Sequence, residues 1–222
     1  MKHIKQFVGE HKHIFMLLYA LIYLPWFVYL ERAVTNPTYI IHHRLDDLIP
    51  FNEYFIIPYY LWFAFTAVAV AYFFFKNKKD YYRLTSHLFI GMTVFLIIST
   101  VYPNGQLLRP TEFVRDNIFV DLVQLIYKAD TPTNIFPSIH VYNSLCVMVA
   151  VMKSKNFQYK NWIKVTTNVI GFTIILSTMF LKQHSVLDVI GGIILCAIVY
   201  PLIYKVEYRW IGSKRKAPLD NL

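Results

Sequence analysis

Charged residues, glycine and cysteine are all scarce in this chain of 222 residues. Asp, Glu, Lys and Arg together make up 16% of the sequence, well below the roughly 25% of an average soluble domain. The apolar fraction is 56%, and only seven residues are glycine. These totals exclude an intrinsically disordered chain, a collagen-like repeat and a coiled coil.

The chain has two cysteines, Cys146 and Cys196, and both lie inside apolar runs. A disulfide-rich secreted scaffold is therefore excluded. We expect the two residues to be reduced and packed in the interior, and not to form a redox or zinc pair. The sequence gives no reason to expect a cofactor or a metal.

Long apolar runs are what the sequence does contain. Six of them have about the length needed to cross a hydrocarbon core of roughly 30 Å as a helix, and they lack the polar residue at every third or fourth position of a soluble bundle. The first run has no small-residue cleavage pattern and is expected to remain as a helix. The sequence therefore predicts an all-α integral membrane protein, a single domain over 1–222, with transmembrane helices at about 14–30, 54–75, 84–102, 139–153, 162–181 and 184–204.

The distribution of positive charge predicts the orientation. Sixteen of the 22 Lys and Arg residues lie in the N-terminus, the second and fourth connections and the C-terminal tail, and six lie in the other three connections. Because positive residues are retained on the cytoplasmic side, both termini are predicted to be cytoplasmic. The net charge of +9 then separates into +12 inside and −3 outside, which indicates topology and not a nucleic-acid partner.

Two long connections, 31–53 and 103–138, are predicted to lie outside. We expect the first to follow the membrane interface and the second to contain a short helix over 116–128. Long loops on one face of a rigid scaffold are a frequent location of functional sites. The outer face is therefore where we expect the site.

The first outer connection contains His42, His43, Asp46 and Asp47. Clustered His and Asp side chains can bind zinc, but residues adjacent in the chain do not converge on a helix or a strand. We expect hydrogen bonds at the outer interface instead, with Arg44 or Asp47 in a position to contact a substrate headgroup.

Several ionisable residues stand at the predicted outer ends of the helices, where such residues are costly and usually functional. His184 and Asp188 have the i, i+4 spacing that brings two side chains together on one helical face, so Asp188 can orient the imidazole. His140 begins the fourth helix, and Arg109 follows the third. Two imidazoles, a carboxylate and a guanidinium beside two helix N-termini favour phosphoryl transfer without a metal.

Three segments of this region resemble the signature motifs of the type 2 phosphatidic acid phosphatase superfamily. They read YPNGQLLRP over 102–110, FPSIH over 136–140 and STMFLKQHSVLD over 177–188. The family patterns are Lys, six residues, Arg-Pro; then Pro-Ser-Gly-His; then Ser-Arg, five residues, His, three residues, Asp. The order and the spacing agree, and the six-helix topology extends the resemblance over nearly the whole chain.

The resemblance implies a role for each matching residue. His184 corresponds to the nucleophile that forms a phosphohistidine, Asp188 to its orienting carboxylate, and His140 to the general acid that protonates the leaving group. Arg109 and Ser138 correspond to phosphate-binding positions. The resemblance also implies that no metal is needed.

Three positions depart from the family pattern, because Tyr102, Ile139 and Thr178 stand where the motifs have Lys, Gly and Arg. Two of the three cationic phosphate ligands are thus missing. The Ile139 form resembles inositol phosphorylceramide synthases, which transfer a phosphorylated headgroup to a lipid alcohol. Lys182, the only basic residue of the fifth loop, is predicted to restore part of the charge and to bind phosphate beside His184.

The sequence thus predicts a metal-independent lipid phosphatase or phosphotransferase that hydrolyses a lipid phosphate or diphosphate at the outer leaflet through a phosphohistidine. The first alternative is a headgroup phosphotransferase of the inositol phosphorylceramide or sphingomyelin synthase type, and the second is a non-catalytic lipid-binding or transport protein. We expect a multi-pass protein of a bacterial plasma membrane. Its expected partners are the bilayer and the lipid substrate, without nucleic acid and with no oligomeric state indicated.

Overall fold

The computed structural model of the chain describes residues 12–205, and this part is mostly helical. Its eight α-helices are α1 (Ala20–Ala33), α2 (Arg44–Leu48), α3 (Ile56–Lys76), α4 (Lys78–Val101), α5 (Ile118–Ala129), α6 (Ile139–Lys153), α7 (Asn161–Phe180) and α8 (Val186–Tyr204). Short 3-10 segments precede three of them, at Lys12–Tyr19, Glu53–Phe55 and Lys155–Phe157. Two strands of two residues each, β1 (Tyr39–Ile40) and β2 (Asn104–Gly105), complete the described elements.

Five helical segments are long and apolar enough to cross a membrane, namely Lys12–Ala33, Glu53–Lys76, Lys78–Val101, Asn161–Phe180 and Val186–Tyr204. The predicted fold class, an all-α membrane protein, is therefore confirmed. The apolar helix α6 has 15 residues, a length of about 22 Å at 1.5 Å per residue. It is shorter than the five others, and its crossing of the membrane stays a prediction.

Helix α6 lies at the centre of the bundle, where it packs against α3, α4, α7 and α8. Its residues Val141, Tyr142 and Cys146 are fully buried. The peripheral helices, in contrast, present large apolar side chains at the surface, for example Leu21, Val68 and Ile198, each more than 60% exposed. Apolar side chains around a helical bundle are what contact with lipid requires.

The close approach of α4 and α6 depends on a glycine. A Cβ atom at Gly91 would lie 2.0 Å from the ring of Tyr142, and the Tyr142 hydroxyl donates a hydrogen bond to the carbonyl oxygen of His87. The ring is fully buried, and it is held by the helix backbone at one end and by the hydroxyl hydrogen bond at the other. The contact therefore tolerates no side chain at position 91.

We predict that Gly91→Ala destabilises the bundle much more than Gly171→Ala. A Cβ at Gly171 also meets a neighbour at 2.5 Å, but that neighbour is the flexible thioether of Met148, which can change rotamer. The expected cost is about 1–3 kcal/mol or more at Gly91 and less at Gly171. Thermal unfolding of the two purified variants in the same detergent measures the difference, and equal midpoints would contradict the packing argument.

The two cysteines are free and buried, as expected. The structure also brings them beside His87, with the three candidate ligand atoms within 4.8 Å of one another, an arrangement that the sequence did not predict. His87 Nε2 lies 3.8 Å from Cys196 Sγ, whereas its Nδ1 has no hydrogen-bond partner within the described residues. Within the described residues, the His87 imidazole thus has a partner at one ring nitrogen only.

The loops at one end of the bundle are tied together through Asn104 and Gly105. Strand β2 pairs in parallel with β1, which joins the connection after α4 to the connection after α1. The side-chain oxygen of Asn104 accepts the amides of Ile135 and Phe136, both at 2.9 Å, just before α6. We call this end of the bundle, where α6 and α8 begin, the site end.

Candidate active site

His184 lies just before the last helix and not inside it. The sequence predicted a helix over 184–204, but α8 begins at Val186 with Ser185 as its N-cap. His184 and Asp188 nevertheless meet, with 3.5 Å between His184 Nδ1 and Asp188 Oδ2. Capping brings them together, because the Ser185 amide donates to the Asp188 carboxylate at 2.7 Å and turns it towards the start of the helix.

His140, at the start of α6, faces His184. Nδ1 of His140 and Nε2 of His184 are 3.4 Å apart, and both side chains are buried. The His140 ring packs against the rings of Tyr59 and Trp62, with centroid distances of 4.8 and 4.4 Å. Nδ1 of His184 thus faces Asp188, and its Nε2 faces His140.

Ser138 is fully buried at the N-cap of α6. Its hydroxyl accepts the amide of Val141 at 3.4 Å, and its own amide donates to the carbonyl oxygen of Asp188 at 3.1 Å. Gly192 permits this contact between α6 and α8, because a Cβ there would lie 2.8 Å from the Ser138 carbonyl oxygen. Ser138 therefore couples the two helices that hold the histidines and Asp188, and its binding of phosphate stays a prediction.

The guanidinium of Arg109 is anchored by the surrounding loops. It donates to the carbonyl oxygens of Tyr127 at 3.0 Å and Asp130 at 2.7 Å, and to the side-chain oxygen of Gln183. Burial lowers the pKa of Arg109, and the Asp130 carboxylate offsets only part of that effect. Arg109 Nε and Gln183 Nε2 are buried without a hydrogen-bond partner among the described residues. Two buried donors, one of them immediately before His184 in the chain, thus lack an acceptor within the described residues.

The ammonium group of Lys182 is bound by the first loop. It donates to the carbonyl oxygens of Asp46, at 2.6 Å, and Ile49. Burial lowers the pKa of Lys182, and the carboxylates of Asp46 and Asp47 offset only part of that effect. The Lys182 carbonyl in turn accepts the side-chain amide of Gln106 at 2.9 Å. Lys182 therefore holds two loops together, and its contact with phosphate remains a prediction.

The carboxylate of Asp46 caps α8, a role that the sequence did not predict. It is 2% exposed and accepts the Ser185 hydroxyl at 2.6 Å, the Val186 amide at 2.8 Å and the His43 amide at 2.7 Å. The Leu187 amide donates to Ser185 Oγ. The expectation that this helix N-terminus offers free N–H groups to phosphate is therefore wrong for the first two residues of α8.

The other members of the group around Asp46 form local hydrogen bonds. His42 Nε2 contacts Asp47 Oδ1 at 2.8 Å, and His43 Nδ1 accepts the amide of Leu45 at 3.2 Å as the N-cap of α2. Hydrogen bonding is what the sequence led us to expect for these residues. Their role towards a substrate headgroup stays a prediction.

We predict that Asp46→Asn destabilises the protein, because an amide group cannot accept all three hydrogen bonds. The buried donors that are left unpaired should cost about 1–3 kcal/mol. Asp47→Asn is the matched control, since that exposed side chain pairs with an exposed histidine, and it should change stability by less than about 0.5 kcal/mol. Thermal unfolding in detergent tests this, and a stable Asp46→Asn variant would show that the cap contributes little.

A cavity of about 410 Å³ adjoins the two histidines. Much of its wall is aromatic, from Tyr23, Phe27, Tyr59, Trp62, Phe63 and Phe95. The polar part of the wall includes Glu31, Asp130, Asn134 and Gln183. None of these residues was identified from the sequence, although the excess of acidic over basic residues on the predicted outer side, nine against six with Asp188 included, was an available signal.

Asp130 follows α5 and is held by its neighbours. Its carboxylate accepts the Tyr59 hydroxyl at 3.0 Å. Burial raises the pKa of Asp130, whereas His184 and Arg109 lower it. The Asp130 carboxylate in the cavity wall therefore interacts electrostatically with His184, the candidate nucleophile.

Comparison with known proteins gives one match. A family model described as PAP2 superfamily matches residues 106–211. This segment contains the five motif residues Arg109, Ser138, His140, His184 and Asp188, and begins after α1, α2, α3 and α4. Searches of curated proteins and of solved structures gave no match.

Proposed function

We propose that the protein is a membrane enzyme that transfers a phosphoryl group from a lipid phosphoester, on the premise that residues 106–211 match the PAP2 superfamily model. The superfamily supports chemistry of the phosphatase or phosphotransferase type. The apolar surface of the bundle supports a lipid substrate. The single domain over 1–222 and the metal-independent mechanism belong to the same proposal.

The observation that carries the proposal is the contact of His184 with both Asp188 and His140. Asp188 Oδ2, 3.5 Å from Nδ1 of His184, favours the tautomer in which Nδ1 bears the proton. The lone pair of Nε2, which faces Nδ1 of His140, then attacks phosphorus. As the new P–N bond forms, the bond from phosphorus to the leaving oxygen breaks, and His140 donates a proton to that oxygen. Water or an acceptor alcohol then takes the phosphoryl group from His184.

Arg109, Ser138 and Gln183 are the proposed contacts of the phosphoryl oxygens. The unpaired Arg109 Nε and Gln183 Nε2 support this role, since a charge-assisted hydrogen bond to an anion is stronger than a neutral one. Lys182 contributes positive charge from the adjacent loop. Its ammonium is engaged by backbone carbonyls, so we assign it a smaller share of phosphate binding than Arg109.

Headgroup transfer to a lipid alcohol is the second candidate function. It is favoured by the acidic residues Glu31 and Asp130 in the cavity wall, which repel a phosphate monoester dianion more strongly than a singly charged phosphodiester. The two candidates differ in the acceptor of the phosphoryl group.

The experiment is a panel of labelled lipid phosphates offered to the purified protein, with and without an acceptor alcohol. Label released as free phosphate or as a water-soluble phosphate monoester identifies a hydrolase, and label on a new lipid identifies a transferase. Binding without any turnover would favour a non-catalytic lipid-binding protein and would overturn the proposal.

We also propose six crossings, with the site end outside the cytoplasm, because most Lys and Arg residues lie in the opposite connections and the termini. Val114 at the site end and Tyr159 at the other end are both highly exposed. We predict that a membrane-impermeant maleimide labels Val114→Cys in intact cells, and Tyr159→Cys only after permeabilisation. The native cysteines are buried and serve as the unlabelled background. The reverse pattern would invert the orientation.

A further inference from the structure

Two carboxylates, those of Glu31 and Asp130, face the cavity that contains the histidine pair, and among the described residues neither forms a close ion pair. Within residues 12–205, the ion pairs closer than 4.0 Å do not include Glu31 or Asp130. Glu31 accepts hydrogen bonds from the Thr131 hydroxyl at 2.6 Å and the Asn134 side chain at 3.3 Å. Asp130 accepts from the Tyr59 hydroxyl. Their hydrogen-bond partners are therefore neutral groups.

The nearby basic side chains are directed elsewhere. The Arg109 guanidinium donates to the backbone carbonyl of Asp130 and not to its carboxylate. Lys182 donates to two carbonyls of the first loop. Glu31 lies at the end of α1, outside the segment that the family model matches, so the acidic wall combines that segment with the N-terminal helices.

This charge pattern disfavours a purely anionic substrate. A phosphate group at His184 shares a cavity of about 410 Å³ with both carboxylates, and charges at such range repel strongly when they are shielded from water. A headgroup with its own positive charge converts the repulsion into attraction. Such a substrate brings its own positive charge, so it would not need the two cationic residues of the family pattern that this chain lacks.

An unpaired acceptor in the same wall points to a ligand with donors. The side-chain oxygen of Asn134 is buried, with the residue 5% exposed, and has no hydrogen-bond partner in the described part of the chain. Asn134 lines the cavity together with Glu31 and Asp130. A primary ammonium group has three N–H donors and no acceptor, and it matches a wall of three acceptor groups.

The aromatic wall suits the same ligand. Tyr59 and Trp62 line the cavity and pack on His140, and further rings continue towards the apolar side of the cavity. An aromatic face attracts a cation, and the apolar rings of Phe27 and Phe95 can contact the lipid chain. The headgroup and the lipid chain thus contact different parts of the same cavity wall.

We propose that this cavity binds a lipid phosphodiester whose headgroup has a primary ammonium group, with the ammonium at Glu31, Asp130 and Asn134 and the phosphorus at His184. The inference rests on the proposed function and names its substrate class. It adds no chemical step to that mechanism. It assigns headgroup recognition to the connection after α5 and to the end of α1.

The first test uses two soluble ligands of nearly the same size, 2-aminoethyl phosphate and propyl phosphate, with the full-length protein in detergent. They differ in an ammonium group that replaces a methyl group. We expect the aminoethyl compound to bind at least about tenfold more tightly by calorimetry, since it gains opposite-charge hydrogen bonds. Equal affinities, or tighter binding of propyl phosphate, would overturn the proposal.

The second test uses Glu31→Gln and Asp130→Asn, which keep the shape of each side chain and remove its charge. Each variant should reduce the preference for aminoethyl phosphate severalfold. Glu112→Gln is the control, because Glu112 is an exposed acidic residue of the second long connection and lies outside the cavity wall. Glu112→Gln should leave the preference for aminoethyl phosphate unchanged. An equal reduction in this control would show that the preference comes from general surface charge, and would overturn the proposal.

Vesicles separate this inference from the proposed function. His184→Asn, which should not turn over lipid, is tested for binding to phosphatidylethanolamine, phosphatidylcholine and phosphatidic acid, and the wild type is tested for turnover of each. Preferred binding of the ethanolamine lipid without turnover of any lipid would support the cavity assignment and reject the enzyme. Turnover of phosphatidic acid with no ethanolamine preference would support the enzyme and reject the cavity assignment. Choline lipid bound as tightly as ethanolamine lipid would also reject it, because a trimethylammonium group has no N–H donors.

Discussion

Replacing His184 with Asn should reduce phosphoryl transfer by about 10³-fold or more. The Asn side chain is polar and similar in size, but its amide nitrogen is not a nucleophile. The residue is 7% exposed and held by the backbone bond from its amide to the Thr178 carbonyl at 3.0 Å. The substitution should therefore leave the loop in place and remove only the attacking nitrogen.

The decisive measurement is the covalent intermediate. Wild-type protein mixed with phosphorus-labelled substrate and quenched in alkali should retain label, because a P–N bond to histidine survives base and hydrolyses in acid. His184→Asn should retain none. Label on the variant, or turnover above about a tenth of the wild-type rate, would mean that another residue is the nucleophile.

His42→Asn is the matched control for this experiment. His42 belongs to the site end, but its side chain is exposed and pairs with Asp47. The control variant should form the labelled intermediate at the wild-type rate. A loss of label in both variants would indicate damage to the loops and not to the chemistry.

The motif spacing was sufficient to identify the histidine pair, but not to describe how it is held. The i, i+4 spacing predicted contact between His184 and Asp188 on a helical face, whereas the contact arises from the cap of α8. The cap itself depends on Asp46, which is 139 residues away from Ser185 in the chain. Such a contact has no local signal, because it exists only after the first connection folds over the last helix.

The cavity wall was missed for the same reason. Glu31 and Thr131 are 100 residues apart, and each reads as an ordinary polar residue at the end of an apolar run. Apolar length located the bundle well because burial in lipid imposes it on each helix separately. Helix α4 begins at Lys78, earlier than the predicted residue 84, because its first turn contains charged residues capped by Asn77. Apolar length alone does not detect such a start.

Replacing His140 with Asn should slow the reaction by an amount that depends on the leaving group. If His140 protonates the departing oxygen, a substrate with an alkyl alcohol leaving group should lose about 10²–10⁴-fold in rate. A nitrophenyl ester of the same lipid phosphate has a leaving group that departs without a proton. Its first turnover, measured as a burst of nitrophenol, should remain close to that of the wild type.

The contrast between the two substrates distinguishes acid catalysis from a structural role. His140 also packs between Tyr59 and Trp62, so its loss can loosen the site. Trp62→Phe keeps an aromatic ring in that contact and leaves His140 in place, and it should slow both substrates by a similar, small factor. If His140→Asn likewise slowed both substrates equally, His140 would be a positioning residue. A loss confined to the alkyl substrate would assign the proton to His140, 3.4 Å from the nucleophilic ring.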